Sequence, residues 1–360
     1  PYIVVSLIAN LGKLSREDSR RLALVGGTVL VSLWTITLCT VFALSHTFPQ
    51  WKAGSFYSTS ATDERRELDL VSLLIPSNIF ESLSENHVPA VVLLCICIGF
   101  TLAGMRDREL IIAPLDMLAK LLIQISHSVT RLAPIGVFAI GASTAGTMSL
   151  EEFGRLQAYI VAYTGGVAFL GFVVLPLLVT TCTPFRYREV IHVSKDAMIT
   201  AFVTGKLVIV LPLVIEQTEK LFAAHRTDQP AGSGPAVDVL YPVAYPFPHT
   251  GKLLSMLFIP FAAWFVGHSL VASEYPKMLL AGLVSYTGGP ILAVPFLLDL
   301  MHLPHDMFQL FLLTGVYGER LGDALGVMHL VTLTLISASA FIGTLRHDFR
   351  SLMKYVGGIT

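Results

Sequence analysis

Long apolar runs follow one another along the whole of this 360-residue chain, at about 1–12, 22–45, 87–104, 111–147, 156–182, 236–271 and 307–345. A bilayer core takes about 20 apolar residues per helix, and in hydrocarbon each backbone polar group has to be satisfied within its own segment or a closed barrel. Repetition of such runs restricts the chain to an all-α, polytopic membrane protein. Two more stretches, 190–221 and 277–302, are apolar but interrupted, the first by Gly205 and Pro212, the second by Gly288, Gly289, Pro290 and Pro295. Interrupted segments in corresponding places point to re-entrant hairpins and a site near the membrane midplane; a pair of kinked spanning helices answers to the same breakers.

The composition agrees. Charged residues make up 14% of the chain and the mean hydropathy is +0.69, where soluble domains carry roughly 25% charged residues. A net charge of −1 leaves no basic surplus to neutralise a phosphate backbone, so nucleic acid is excluded as a partner. Cys39, Cys95, Cys97 and Cys182 form no Cys-x-x-Cys pair and read as small apolar fillers, so no metal centre is expected. With hardly a strand to carry a P-loop, a Rossmann glycine run or a Ser/His/Asp set, the chain is not expected to be an enzyme or to bind a cofactor. It opens on Pro1-Tyr2-Ile3 with no charged leader, which predicts a further segment upstream.

Lys and Arg collect in connections that a single topology puts on one side: Lys13, Arg16, Arg20 and Arg21, then Arg106, Arg108, Arg186 and Arg188, and the tail 346–360. That bias marks the cytoplasmic face. The polar stretch 46–72 reads as containing an outer loop at 51–69, and Arg226–Pro235 as a flexible inner linker. Beyond that linker, and just before it, a broken segment followed by a long helix occurs twice: 190–221 then 236–271, and 277–302 then 307–345. The two copies start from opposite faces, as an inverted repeat requires.

Three strings then resemble a known family, the dicarboxylate/amino-acid:cation symporters (the glutamate-transporter homologues). Leu74-Ile75-Pro76-Ser77-Asn78-Ile79-Phe80 is similar to the element before the family's fourth helix, and Ala133-Pro134-Ile135-Gly136-Val137-Phe138-Ala139 to its fifth-helix signature. Lys195-Asp196-Ala197-Met198-Ile199-Thr200-Ala201-Phe202-Val203-Thr204 resembles the first arm of its first re-entrant hairpin, with Leu211-Pro212 at the expected distance. The resemblance implies an elevator fold with two re-entrant helical hairpins and inverted repeats, a homotrimer in the plasma (inner) membrane, and N-terminal helices missing from this stretch. It also implies a scaffold and trimerisation domain at 1–15 and 70–148 and a transport-type domain at 16–50 and 149–345, with hairpins at about 190–221 and 277–302.

At the site the resemblance fails. Where the family has a serine-rich hairpin tip, Thr204 is followed by Gly205-Lys206-Leu207-Val208-Ile209-Val210, and Lys206 alone is left to attract an anion. The family's unwound seventh helix holds sodium on an Asn-Met-Asp-Gly-Thr element; here Pro248-His249-Thr250-Gly251-Lys252 stands in that place, without a carboxylate and with a lysine added. Pro246 and Pro248 still predict an unwound stretch. In the last helix the registry keeps an aspartate, Asp323, but puts Gly326 at the family's arginine, Leu330 at its asparagine and Thr334 at its second aspartate. Gly288 and Gly289 keep glycines in the second tip, with different spacing.

Losses concentrated at the site predict a changed function. Intramembrane charges are expensive and usually paired or functional, and Lys206, Lys252, Glu319, Arg320, Asp323, His249 and His329 fall where the family's site would be. In one reading the lysines are tethered cations that replace sodium and pair with Asp323 and Glu319, while coupling disappears or shifts to protons through His249 or His329. In the other, the same charges form a fixed ion-pair network that locks the domain. The first predicts a sodium-independent secondary transporter, proton-coupled or uncoupled, for a small organic anion, a dicarboxylate or amino acid. The second predicts a transport-dead membrane sensor or anchor attached to a soluble domain outside this stretch. Lys120 and Arg131 read as snorkelling or paired scaffold residues, and Phe258, Phe261 and Phe265 as helical packing.

Overall fold

The computed structural model describes residues 18–49, 88–130, 150–225, 247–267 and 269–345, together with residues 5, 8, 9, 78, 135, 138, 139, 142, 146, 240, 241 and 244. The outer loop at 51–69, the linker at 226–235, the tail at 346–360, Arg131 and most of the two shorter family-like strings lie outside the described residues. Among those described, every regular element is a helix: α1 Asp18–Ser45, α2 Val88–Ala103, α3 Glu109–Thr130, α4 Leu150–Phe169, α5 Leu175–Cys182, α6 Tyr187–Thr204, α7 Leu207–Ala224, α8 Thr250–Leu254, α9 Phe258–Phe265, α10 Tyr275–Ser285, α11 Pro290–Leu300 and α12 Met307–Phe341. Among the described residues, three helical stretches are long and apolar enough to cross a membrane: Leu24–Ser45, Gly154–Cys182, which joins α4 to α5 through a π-helical turn, and α12 itself. The C-terminal half of α12 is buried almost throughout, whereas Leu24–Ser45 is mostly not.

The two interrupted stretches are helical hairpins. α6 and α7 pack on each other, as do α10 and α11, which removes the kinked-helix alternative. Glycines make the turns and prolines do not. Gly205 ends α6 at φ +62° and Gly289 precedes α11 at φ +93°, backbone states that a Cβ disfavours. Pro212 lies inside α7 and Pro295 inside α11 without ending either helix. The run expected as one helix over 236–271 is not continuous: Phe247, Pro248 and His249 are non-helical, α8 starts at Thr250, and α9 ends at Phe265.

The chain divides into two compact units, one of Pro1–Ser15, Val41–Ala162 and Ser255–Val316, the other of Arg16–Thr40, Tyr163–Leu254 and Tyr317–Thr360. The first is held by aromatic rings. Phe258 meets Tyr159 and Phe311 edge-on with centroids 5.4 and 5.2 Å apart, and Phe261 packs on Phe48, Tyr159, Trp264 and Phe265. Polar tips of buried aromatics need partners: Tyr275 donates to Ser45 Oγ at 2.8 Å and Trp264 Nε1 to the Pro49 carbonyl at 2.7 Å. Arg155 Nη1 caps the end of α9 on the Phe265 carbonyl at 3.0 Å. In the second unit Phe185 stacks edge-on against Phe222, Thr218 bonds Tyr241 at 2.8 Å, and Ser194 reaches Met328 Sδ at 3.6 Å, which ties α6 to α12.

Candidate functional site

Within the second unit, the non-helical Phe247–His249 segment leaves the first N–H groups of α8 without intrahelical partners. Two imidazoles take them. His249 Nδ1 accepts the Lys252 N–H at 3.3 Å, the N-cap to N3 bond in which a serine or aspartate usually serves. His329 Nδ1 accepts the Thr250 N–H at 3.3 Å and lies 2.7 Å from the Thr250 hydroxyl. A nitrogen that accepts from a backbone N–H carries no hydrogen, so this network assigns both neutral rings as Nε2–H tautomers. Trp34 Nε1 donates to the Pro248 carbonyl at 2.7 Å, and Thr37 Oγ1 stands 3.2 Å from Thr250 Oγ1, so α1 fastens the same break from its other side.

α12 approaches α8 without side chains between them. A Cβ added at Gly251 would overlap the Gly322 carbonyl, and one added at Gly326 would lie 2.8 Å from His249 Nδ1. The backbones thus touch at Gly251 and Gly322, and the His249 ring fills the space that a side chain at 326 would take. Tyr163, from α4, closes the third side, its hydroxyl 3.0 Å from the Gly318 carbonyl and 3.4 Å from that of Gly251. Gly318, Gly322 and Gly326 are spaced by four, the interval that brings membrane helices into close contact. That spacing is visible in the sequence and would have pointed to this crossing.

The turn of α12 next to it holds the α6–α7 tip at both ends. Arg320 Nη1 donates to the Val203 carbonyl at 2.6 Å and to the Phe202 carbonyl at 3.3 Å, at the C-terminus of α6. The Asp323 carboxylate lies beside the Leu207 N–H, at the first residue of α7. A cation thus sits at a helix C-terminus and an anion at an N-terminus, each the favourable pairing with the helix dipole, from two residues three apart on one face. Read in the sequence only as one more intramembrane charge, Arg320 proves to be the residue that fastens α6.

The structure gathers eight of the ten expected site residues in this unit. Asp323 keeps 17% of its side chain exposed and has His249 Nε2 at 3.8 Å from Oδ1. Half-buried Lys252 lies within electrostatic reach of Asp323 and Glu319. Glu319, Lys206 and Thr204 are exposed; Lys206 is the N-cap of α7, and Thr204 turns its hydroxyl back to the Thr200 carbonyl at 2.8 Å. Gly251, His249 and His329 are buried. The remaining two, Gly288 and Gly289, belong to the first unit, where Gly288 closes a 3-10 turn and Gly289 precedes α11.

Comparison with known proteins identifies the family. A family model described as the sodium:dicarboxylate symporter family matches residues 1–340. The chain is 22% identical to the proton/glutamate-aspartate symporter of Escherichia coli over 61% of its own length and 54% of that protein's. It is 23% identical to the proton/sodium-glutamate symport protein of Geobacillus stearothermophilus, covering 80% of this chain and 70% of the relative. It is 28% identical to the C4-dicarboxylate transport protein of Cupriavidus pinatubonensis over 41% of this chain and 34% of that one. The chain thus spans between about a third and 70% of the length of these relatives. Matched along nearly all its length by one family model, and with three segments fit to cross a membrane among its described residues, the chain belongs to the sodium:dicarboxylate symporter family.

Proposed function

We propose that the chain is the core of a multi-pass secondary transporter that carries a small organic anion across the plasma (inner) membrane without sodium, either coupled to protons or uncoupled. The observation behind it is Lys252. Its ammonium is tethered one residue past Gly251, at the break where the family's cation ligands would stand, and it faces Asp323 and Glu319. A fixed positive charge there repels a sodium ion and takes over its electrostatic task. A proton entering either imidazole at Nδ1 would have to break the backbone bond made there, so in this reading Asp323 and Glu319 are the better proton carriers. The relatives' names divide between amino acids and C4-dicarboxylates, all anions, and one names sodium beside protons.

The remaining parts of the reading are a homotrimer of elevator protomers, a scaffold at 1–15 and 70–148, and a transport domain at 16–50 and 149–345 with re-entrant hairpins. Two lengths support the hairpins. The 11-residue arms α10 and α11 reach about 17 Å, roughly half of the ~30 Å hydrocarbon core. Arg320 and Asp323, which grip the α6–α7 tip, lie near the midpoint of the 35-residue α12. Uptake by the complete protein in liposomes, with labelled aspartate, glutamate and C4-dicarboxylates under separate sodium and proton gradients, tests the reading. Flux with a proton gradient or with none is expected. Saturable uptake that requires sodium would remove the role given to Lys252, and silence from folded protein under every gradient would leave a membrane sensor or anchor instead.

A further inference from the structure

His249 carries a hydrogen-bond donor for which the described residues supply no acceptor. The residue is 2% exposed, its Nδ1 is occupied by the Lys252 N–H, and Nε2, which therefore bears the hydrogen, has no hydrogen-bond partner among the described residues. Buried donors are almost always paired, because an unmade bond forfeits the full desolvation of the group. The Asp323 carboxylate comes close without bonding, its Oδ1 3.8 Å away, beyond the roughly 3.2 Å reach of an N–H···O bond. Asp323 is the one of the two with exposed surface, 17% of its side chain against 3% for His249.

Donor and acceptor side by side define what completes them. One oxygen about 2.8 Å from each atom would bridge the gap at an angle of about 85°, provided it accepts from Nε2–H and donates to the carboxylate. A hydroxyl does both. An ammonium has donors only, so it would set a hydrogen against the Nε2–H while the Lys252 ammonium already occupies the field of Asp323 and Glu319. A second carboxylate could accept but would face Asp323 as a like charge. We propose that His249 is a specificity-determining residue, which with Asp323 selects an acid carrying a hydroxyl, not an ammonium, beside its carboxylate: a 2-hydroxy acid. This rests on the reading of the chain as an organic-anion transporter.

The test is titration of the complete wild-type protein in nanodiscs with 2-hydroxysuccinate, succinate and aspartate, three four-carbon acids that differ only at this group. Hydroxysuccinate is expected to bind about tenfold more tightly than either of the others, the worth of one good hydrogen bond. His249→Asn retains an oxygen to cap the Lys252 N–H while withdrawing the Nε2 donor, so the ratio of hydroxysuccinate to succinate affinity should fall to near one. His249→Gln, which keeps a side-chain N–H at similar reach, should restore part of the ratio. Aspartate bound as tightly as hydroxysuccinate, or a ratio unchanged in His249→Asn, would overturn the assignment and leave the transporter reading standing. Binding of none of the three by protein that melts cooperatively would remove both.

Discussion

Replacement of Gly326 by alanine tests the claim that the His249 ring occupies the space over α12. A Cβ at this position would lie 2.8, 2.9 and 3.1 Å from Nδ1, Cε1 and Cγ of His249, and ordinary contact needs about 3.4 Å or more, so the ring must retreat by roughly half an ångström. That retreat stretches the bond from the Lys252 N–H, already 3.3 Å long, out of effective range. Overpacking costs about 1–3 kcal/mol and the lost bond about 1 kcal/mol, against a gain of up to ~1 kcal/mol for alanine over glycine inside a helix. The net expectation is a loss of roughly 1–3 kcal/mol. Gly315, on the same helix, has nothing within 4 Å of its added Cβ, so Gly315→Ala should be neutral or stabilising by up to ~1 kcal/mol. Thermal unfolding of both variants in one detergent, followed by tryptophan fluorescence, reads the difference. If Gly326→Ala melts with Gly315→Ala, the ring is not where this account puts it.

Other substitutions separate the remaining contacts. Arg320→Met should free the Phe202 and Val203 carbonyls, lower stability by about 1 kcal/mol and speed hydrogen exchange in the last turn of α6, while Arg320→Lys recovers only part because it lacks the guanidinium fork; unchanged exchange would refute the clamp. Tyr163→Phe removes the hydroxyl that meets the Gly318 and Gly251 carbonyls and should cost about 1 kcal/mol in melting. Lys252→Thr should destabilise by about 1 kcal/mol, since it removes the charge that offsets the repulsion between Asp323 and Glu319. Exposed Lys206→Ser should stay within roughly 0.5 kcal/mol of wild type. Equal effects at the two lysines, in the same melting assay, would contradict the unequal roles that the structure gives them.

Apolar runs of bilayer length and the pair Pro246 and Pro248 were enough to predict a helical membrane chain unwound near residue 248, while the breakers between shorter runs left hairpins and kinked helices as alternatives. These features are local: a run length, a missing N–H, or a backbone state open only to glycine acts within a few residues of where it is written. Local rules also erred where helices lend support, as at Pro212 and Pro295, which α7 and α11 absorb. Which charges meet could not be read in the same way. That Arg320 serves the α6 carbonyls, that Asp323 lies beside the α7 N–H, and that His249 occupies the room left by Gly326 depend on residues about 70–120 positions apart in the chain meeting where α8 and α12 touch at Gly251 and Gly322. An ion pair or an orphan donor is a property of two positions in space. The sequence determined the parts and the glycine stripe that allows the crossing; the crossing itself decided which side chains became anchors and which donor was left open.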